Sequence, residues 1–274
     1  MSTKICVLGV PISNTSKYSL LKLIEHTVNE NSKLFISTVN ASFFIKARKD
    51  RDFYNILKSE TDINLADGVS IQLASEYLYT LSYNYLFKNI VYFIHGLKIG
   101  IKFIFNKKFT ILKHRITGVY LTKKLLNMAN RHGWGVIVLH RADGLVTVGE
   151  LQQYLNTTYP NIKSTVMGIS FNHKYSNGDL PNNYNLYFCT LGEVYQEKLL
   201  YNIQNTMQSG LYIGVGSSFD VLLRKVTPVK QCHKNRGFEW LFRLINRPKR
   251  LGKVLRSVIS FPFIVYKYSL KHTK

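Results

Sequence analysis

Short apolar runs alternate with amphipathic segments along most of the chain. The runs are rich in β-branched and aromatic residues, as buried strands are, and comprise 5–10, 34–39, 135–140, 164–169, 185–190 and 211–216. The segments between them place apolar residues at helical spacing and comprise 17–30, 41–58, 119–132, 148–157 and 193–208. This alternation predicts a Rossmann-like α/β fold, with a mostly parallel sheet and helices on both faces. Functional residues are then expected directly after the strands, at the carboxyl edge of the sheet.

Two basic segments, 83–113 and 248–274, depart from this alternation. In the first, apolar residues recur at helical spacing, but Lys88 and Lys98 bracket the longest uncharged stretch, so we do not expect it to span a membrane. In the second, apolar positions form one helical face and Pro262 is expected to end or kink the helix. Basic amphipathic helices favour contact with an anionic membrane surface. The alternative for both segments is a core helix with a solvated basic face.

The charge balance points to a polyanionic partner. The chain of 274 residues carries 37 Lys and Arg against 15 Asp and Glu, for a net charge of +22. Nucleic acid, an anionic membrane and phosphorylated substrates all satisfy this excess, and composition does not choose among them. The apolar content of 46% excludes a disordered polyelectrolyte. Three distant cysteines form no disulfide framework, and the N-terminal residues lack a signal-peptide pattern, so we expect a reducing compartment.

Several familiar motifs are absent or incomplete. Gly214 and Gly216 are followed by Ser-Ser-Phe, so the full dinucleotide-binding fingerprint is missing. The eight histidines show no metal-ligand spacing, and no metal site is predicted. The triplet Asp50-Arg51-Asp52 resembles the Asp-x-Asp metal motif of many glycosyltransferases. It falls inside a predicted helix, where side chains two residues apart diverge, so we interpret it as a solvated helix face.

Four places after predicted strands carry residues suited to chemistry. They are Thr38-Val-Asn40, Ala66-Asp67-Gly68, Gln196-Glu197 and the loop from Gly214 to Asp220. A carboxylate at Asp67 is well placed for a general base, and glycines at a strand-to-helix turn let backbone N–H groups approach a phosphate. Each also has an ordinary structural explanation. Thr and Asn cap helices, Asp-Gly forms turns, and Gln-Glu suits a solvated first turn.

Taken in order, these pieces resemble the WecG/TagA/CpsF glycosyltransferase family almost from end to end. They are Val7-Leu8-Gly9-Val10, Thr38-x-Asn40, Ala66-Asp67-Gly68, Arg115-x-Thr117-Gly118, Tyr159-Pro160, Gln196-Glu197, Gly214-Val-Gly216-x-x-Phe219-Asp220, Gly237-Phe-Glu239-Trp240-Leu-Phe-Arg243-Leu and Arg247-Pro248-Lys249-Arg250. The resemblance implies an inverting transferase without metal or other cofactor. It would move N-acetylmannosamine or a related hexose from a UDP-sugar to a polyprenyl-diphosphate-linked saccharide, in teichoic-acid or cell-surface polysaccharide synthesis. Such enzymes work at the cytoplasmic face of the membrane.

The resemblance also assigns roles to residues. Asp67 would deprotonate the acceptor hydroxyl, with Thr38 and Asn40 in the same site. The other substrate-binding residues implied are Arg115, Gln196, Glu197, Gly214, Gly216, Asp220, Arg243, Arg250 and Lys253. The last three would offer positive charge to the diphosphate, which a metal-free reaction requires.

The same resemblance sets the expected domains. Residues 1–235 would form the α/β transferase domain, with 80–112 as a basic aromatic insertion, and 236–274 a C-terminal amphipathic appendage. Departures from the family pattern, such as Gly192-Glu193 before the Gln-Glu pair, keep open a catalytically inactive membrane scaffold of the same fold. A basic nucleic-acid-binding protein is a third alternative. It would explain the charge but neither Asp67 nor Gln196, and nucleic acid is not an expected partner. The oligomeric state stays open.

Overall fold

The computed structural model describes residues 3–81, 87–105, 108–170, 184–227, 252 and 256–272. The strands are β1 (Thr3–Val7), β2 (Val10–Asn14), β3 (Lys33–Val39), β4 (Ile63–Ala66), β5 (Val136–Arg141), β6 (Ser164–Ile169), β7 (Leu186–Cys189) and β8 (Gly210–Gly214). The α-helices are α1 (Lys17–Asn29), α2 (Ala41–Ala47), α3 (Arg51–Asn55), α4 (Val69–Thr80), α5 (Lys88–Phe105), α6 (Gly118–His132), α7 (Val148–Thr158), α8 (Tyr195–Thr206), α9 (Ser218–Leu222) and α10 (Phe261–His272). There are also two π-helical segments. Ile56–Glu60 follows α3, and Arg256–Ser260 precedes α10.

Six strands form one parallel sheet in the order β4-β3-β8-β7-β5-β6. Parallel pairing aligns the carboxyl ends of neighbouring strands. Thr38 therefore pairs with Leu65, one residue before β4 ends, and Ser37 pairs with Gly214 at the end of β8. The predicted parallel α/β sheet is confirmed, and its carboxyl edge gathers the segments that follow β3, β4 and β8.

Helices cover both faces of this sheet. Successive residues of β5 alternate between two core clusters, because neighbouring side chains on a strand point to opposite faces. Val136 and Val138 join the cluster that contains α1, α6, α7 and α9. Ile137 and Leu139 join the cluster that contains α8.

The N-terminal run 5–10 is not a strand of the parallel sheet, contrary to the prediction. β1 and β2 form a separate antiparallel hairpin, with Val7 paired to Val10. Leu8 and Gly9 both have positive φ, 50° and 82°, which is the backbone of a tight hairpin turn. The run 5–10 therefore contains a chain reversal that its apolar pattern does not indicate.

The predicted helix 41–58 is likewise interrupted. It consists of α2, then α3, then the π-helical segment at 56–60. Asp50 starts α3 as its N-cap, where its carboxylate accepts a hydrogen bond from the N–H of Phe53 at 3.0 Å. The same carboxylate pairs with Lys198 at 2.8 Å. Asp50 is thus a helix cap and an ion-pair partner, and the interpretation of 50–52 as one helix face is wrong for this residue.

A third core cluster joins the hairpin to α2, α4, α5 and α10. Phe261 of α10 is buried against Phe44 of α2, with ring centroids 5.6 Å apart. The hydroxyls of Tyr77 and Ser269 lie 2.9 Å apart in the same cluster. Pro262 lies in the first turn of α10, where the preceding π-helical segment gives way to an α-helix. The described part of the C-terminal segment therefore packs directly on the α/β domain.

Candidate active site

Asp67 is fixed at the carboxyl edge by its own backbone and by the start of α6. Its N–H donates to the carbonyl of Val39 at 2.9 Å, which extends the β3–β4 pairing by one residue. Its Oδ1 accepts a hydrogen bond from the N–H of Gly118 at 3.1 Å, and the side chain is half-buried. The N-terminus of a helix stabilises negative charge. The carboxylate of Asp67 therefore lies at the carboxyl edge of the sheet, within hydrogen-bond reach of the first turn of α6.

Gly118 brings Thr38 and the β8–α9 loop close to this carboxylate. A Cβ at Gly118 would lie 3.3 Å from Oγ1 of Thr38 and 3.2 Å from Oγ of Ser218. Thr38 is 7% exposed, and its hydroxyl donates to the carbonyl of Gly214 at 3.2 Å. A side chain at position 118 would crowd both hydroxyls, so Asp67, Thr38 and Ser218 all lie close to the N-terminus of α6.

Asn40 and Arg115 flank the same edge. Asn40 caps α2, its Oδ1 accepting from the N–H of Ser42 at 2.9 Å, and its Cβ would contact a Cβ added at Gly68 at 3.7 Å. The N–H of Ile116 donates to the carbonyl of Ala66 at 3.0 Å, which holds Arg115 beside the end of β4. Both predicted site residues are therefore next to the Asp67 segment.

Gln196 and Glu197 lie beneath the β8–α9 loop, in the interior. The Oε1 of Gln196 accepts from the N–H of Gly216 at 3.0 Å, and its Nε2 donates to Oε1 of Glu197 at 2.6 Å. The same Glu197 oxygen accepts from the hydroxyl of Ser37, and its Oε2 accepts from the N–H of Val194 at 3.0 Å. Glu197 is 0% exposed, so every one of these contacts is to protein.

This buried carboxyl is electrostatically unusual. Burial raises the pKa of Glu197 from 4.5 to about 7, and the nearby Glu193 carboxylate acts in the same direction. The hydrogen bonds from Gln196 and the Val194 N–H oppose that rise. Val194 itself has φ 84°, a strained conformation for a β-branched residue, and the carboxylate holds its N–H. Through these hydrogen bonds, Gln196 and Glu197 connect the β7–α8 loop to β3 and β8.

The other predicted site residues that the structure describes lie at the end of β8 and in the loop and helix that follow it. Gly214 is buried, Gly216 adopts φ 50°, and Asp220 lies half-buried in the first turn of α9. Arg141, which ends β5, lies near Asp220 and bonds both carboxylate oxygens of Asp143. These carboxylates, Asp143 foremost, raise the pKa of Arg141.

Sequence reasoning did not place Ser218 or Arg141 in the site. Arg141 is the last residue of β5 and Ser218 begins α9, four residues after β8 ends, so their position at the carboxyl edge was the available signal. The predicted residues Arg243, Arg250 and Lys253 lie outside the described residues. Within the described ranges, His, Cys, Asp and Glu side chains nowhere gather in a group of three or more that could hold a metal ion.

Comparison with known proteins decides the family. The profile of the glycosyl transferase WecG/TagA/CpsF family matches residues 5–85 and 96–274. This chain belongs to that family. The recognition made from the ordered motifs is confirmed, as is a glycosyl transferase activity class. Residues 86–95 are not matched; they fall within the predicted insertion and contain the first eight of the 18 residues of α5.

Curated members of the WecG/TagA/CpsF family cover nearly the same length. A protein of Bacillus subtilis strain 168, named N-acetylglucosaminyldiphosphoundecaprenol N-acetyl-beta-D-mannosaminyltransferase, is 27% identical over 90% of this chain and 85% of its own. A protein of the same name from Staphylococcus aureus strain MRSA252 is 25% identical over 97% of this chain and 92% of its own.

None of the helices in the described ranges is long and apolar enough to cross a membrane.

Proposed function

We propose that this protein transfers N-acetylmannosamine, or a related hexose, from a UDP-sugar to N-acetylglucosamine carried on a polyprenyl diphosphate. The donor, the acceptor and the absence of a metal from the reaction are all part of the proposal. It is supported by family membership, by the activity for which both curated relatives are named and by the position of Asp67. The product would enter teichoic-acid or another cell-surface polysaccharide.

The proposed chemistry is a single displacement with inversion. The acceptor hydroxyl oxygen attacks C1 of the donor sugar, the bond from C1 to the diphosphate oxygen breaks, and UDP leaves with the electron pair. Asp67 takes the proton of the acceptor hydroxyl as this happens. Its place at the N-terminus of α6 supports this role, because the charged form is stabilised there before the acceptor arrives.

The other site residues bind and orient. Thr38 and Asn40 line the acceptor side next to Asp67, with Arg115 near them. The backbone at Gly214 and Gly216 approaches the nucleotide, together with Asp220. Gln196 and Glu197 hold that loop from below rather than touching substrate, because both are buried. Arg243, Arg250 and Lys253 would supply positive charge to the diphosphate.

We also propose a peripheral location on the cytoplasmic face of the membrane. A polyprenyl acceptor is confined to the bilayer, and the segments 83–113 and 248–274 are basic and amphipathic. The α/β domain (1–235) and the appendage (236–274) would then divide the work between chemistry and membrane approach.

Release of UDP tests the proposal. The protein is given a panel of UDP-sugars with a polyprenyl-diphosphate N-acetylglucosamine analogue, in the presence of a chelator. Acceptor-dependent release is expected with one donor. Asp67→Asn keeps an oxygen for the Gly118 N–H but cannot take the proton, so turnover should fall about a hundredfold or more with UDP binding kept.

Asp52→Asn is the matched control, since Asp52 is an exposed carboxylate on α3 and belongs to the Asp-x-Asp triplet. It should leave turnover unchanged. Near-normal turnover by Asp67→Asn would remove Asp67 as the base. UDP binding without release for any donor would favour the inactive scaffold.

A further inference from the structure

Helix α5 is anchored to the domain by one face. Tyr92 is fully buried, and Gly96 packs against Tyr77, where an added Cβ would lie 3.5 Å from the ring. The hydroxyl of Tyr266 in α10 donates to the carbonyl of Asn89 at 3.2 Å. The orientation of α5 about its own axis is therefore fixed.

The opposite face of α5 is an exposed apolar stripe. It follows helical spacing and occupies an arc of about 100°. Its members are between 52% and 61% exposed and comprise Ile90, Phe93, Ile94, Leu97 and Ile101. Phe87, just before the helix, is 67% exposed. Contiguous apolar surface of this kind marks an interaction site on a protein.

The chain segment that carries this stripe has charges of one sign only. Residues 77–142 contain eleven Lys and Arg but no Asp or Glu. Lys98 and Lys102 are exposed on α5 and, at 100° per residue, lie beside one edge of the stripe. Residues 240–274, which include α10, are equally free of acidic residues. Because α10 packs against α5, two helices that lack acidic residues lie side by side.

This combination selects the occupant. A second copy docked symmetrically would place like-charged lysines against each other. Long lysine side chains beside an apolar stripe suit a surface that is apolar below and anionic above, which is a bilayer containing anionic lipid. We infer that α5 lies in the plane of such a bilayer, with its exposed stripe among the acyl chains and Lys98 and Lys102 at the phosphates.

This anchor deepens the proposed function. The choice of a lipid surface as the occupant rests on that function. The anchor adds a specific face, and three of its five residues lie in the segment 86–95 that the family profile does not match. The stripe faces away from the packed core of the domain, so anchoring and sugar transfer can be measured separately.

Flotation with vesicles tests the anchor. The full chain should bind vesicles of phosphatidylcholine mixed with phosphatidylglycerol more tightly than phosphatidylcholine alone. The double variant Phe93→Gln, Leu97→Gln removes the centre of the stripe while keeping helix formers, and its vesicle affinity should fall at least about tenfold. The matched control is Tyr18→Gln, Leu23→Gln, an aromatic and a leucine exposed on α1, which should bind as the unmodified chain does.

A second double variant tests the two lysines beside the stripe. Lys98→Gln, Lys102→Gln should weaken the preference for anionic vesicles and keep the binding to neutral ones. Leu97→Trp should shift its fluorescence to shorter wavelength when anionic vesicles are added. Unchanged flotation by the Phe93, Leu97 variant, or unchanged emission at position 97, would overturn the inference.

Two further measurements separate the possible failures. Transfer to a water-soluble acceptor analogue should be unaffected by Phe93→Gln, Leu97→Gln. Vesicle binding without any transfer would defeat the proposed function and leave the anchor standing. A dimer of the unmodified chain that the double variant disrupts, without vesicle binding by either, would show a protein interface and refute the anchor.

Discussion

Replacing Glu197 with glutamine isolates the buried carboxyl that ties the β7–α8 loop to β3 and β8. Glutamine fills the same space but stays neutral at every pH. It cannot accept hydrogen bonds at both ends, so either the Val194 N–H or the Gln196 amide loses its acceptor. That loss costs about 1–3 kcal/mol of stability at any pH. The informative quantity is how the stability difference between the two proteins changes with pH.

The expected change follows from the pKa of Glu197, which rises from 4.5 in the unfolded chain to about 7 in the folded protein. The folded state therefore binds the proton more tightly. This contribution to stability is complete below pH 4.5 and is lost as pH rises through about 7. Each tenfold change in proton affinity is about 1.4 kcal/mol, so the whole loss is about 3 kcal/mol. For 274 residues that corresponds to about 5 °C in Tm.

Thermal and urea unfolding of both proteins, at intervals from pH 4.5 to 8, measures this change. Histidines titrate in both and cancel in the difference. The advantage of the unmodified protein over Glu197→Gln should shrink by about 3 kcal/mol as pH rises across the window. A constant difference would show that Glu197 does not titrate there. A difference that grows with pH would show that its hydrogen-bond donors outweigh burial.

Two further changes test the packing and the helix cap described above. Gly214→Ala should lose about 1–3 kcal/mol of stability and reduce transfer, because a Cβ there would lie 2.7 Å from Oε1 of Glu197. Gly149→Ala, with open space around it in α7, should be neutral or stabilising in the same unfolding assay. Asp50→Ala removes an N-cap and an ion pair, so it should lower stability by about 1 kcal/mol while transfer stays unchanged. Loss of transfer by a folded Asp50→Ala variant would favour a metal-binding role for the Asp-x-Asp triplet instead.

The parallel sheet was predictable because its strands are apolar on both faces. Runs such as 135–140 and 211–216 have no polar side to mark them as exposed, and parallel strands buried by helices have this composition. The carboxyl-edge position of Asp67 and Thr38 followed from the topology alone.

The hairpin and the helix break depended on local geometry that an apolar pattern does not record. The run 5–10 has the composition of one strand, and only the positive φ values at Leu8 and Gly9 reveal the turn. The cap at Asp50 competes with helix continuation through a single hydrogen bond.

The buried structural role of Glu197 was also not predictable from the sequence. A Gln-Glu pair at a helix start has the composition of a solvated first turn, yet both side chains are buried beneath the loop after β8. Their burial depends on contacts with Ser37, Gly214 and Gly216, which are distant in sequence and meet only in the folded sheet.

The hydrogen bond between Asp67 and Gly118 joins two residues that are 51 positions apart in the chain. Everything between them, including α4 and α5, is a closed excursion whose two ends are fixed against each other. Closure entropy grows only slowly with length, so the exposed parts of this excursion, outside its core residues, can be lengthened or shortened at little cost. The position of the reacting carboxylate is then insulated from changes in the segment that leaves it and returns. A surface element can be acquired, exchanged or lost at this point of the fold while the geometry at the edge of the sheet stays the same.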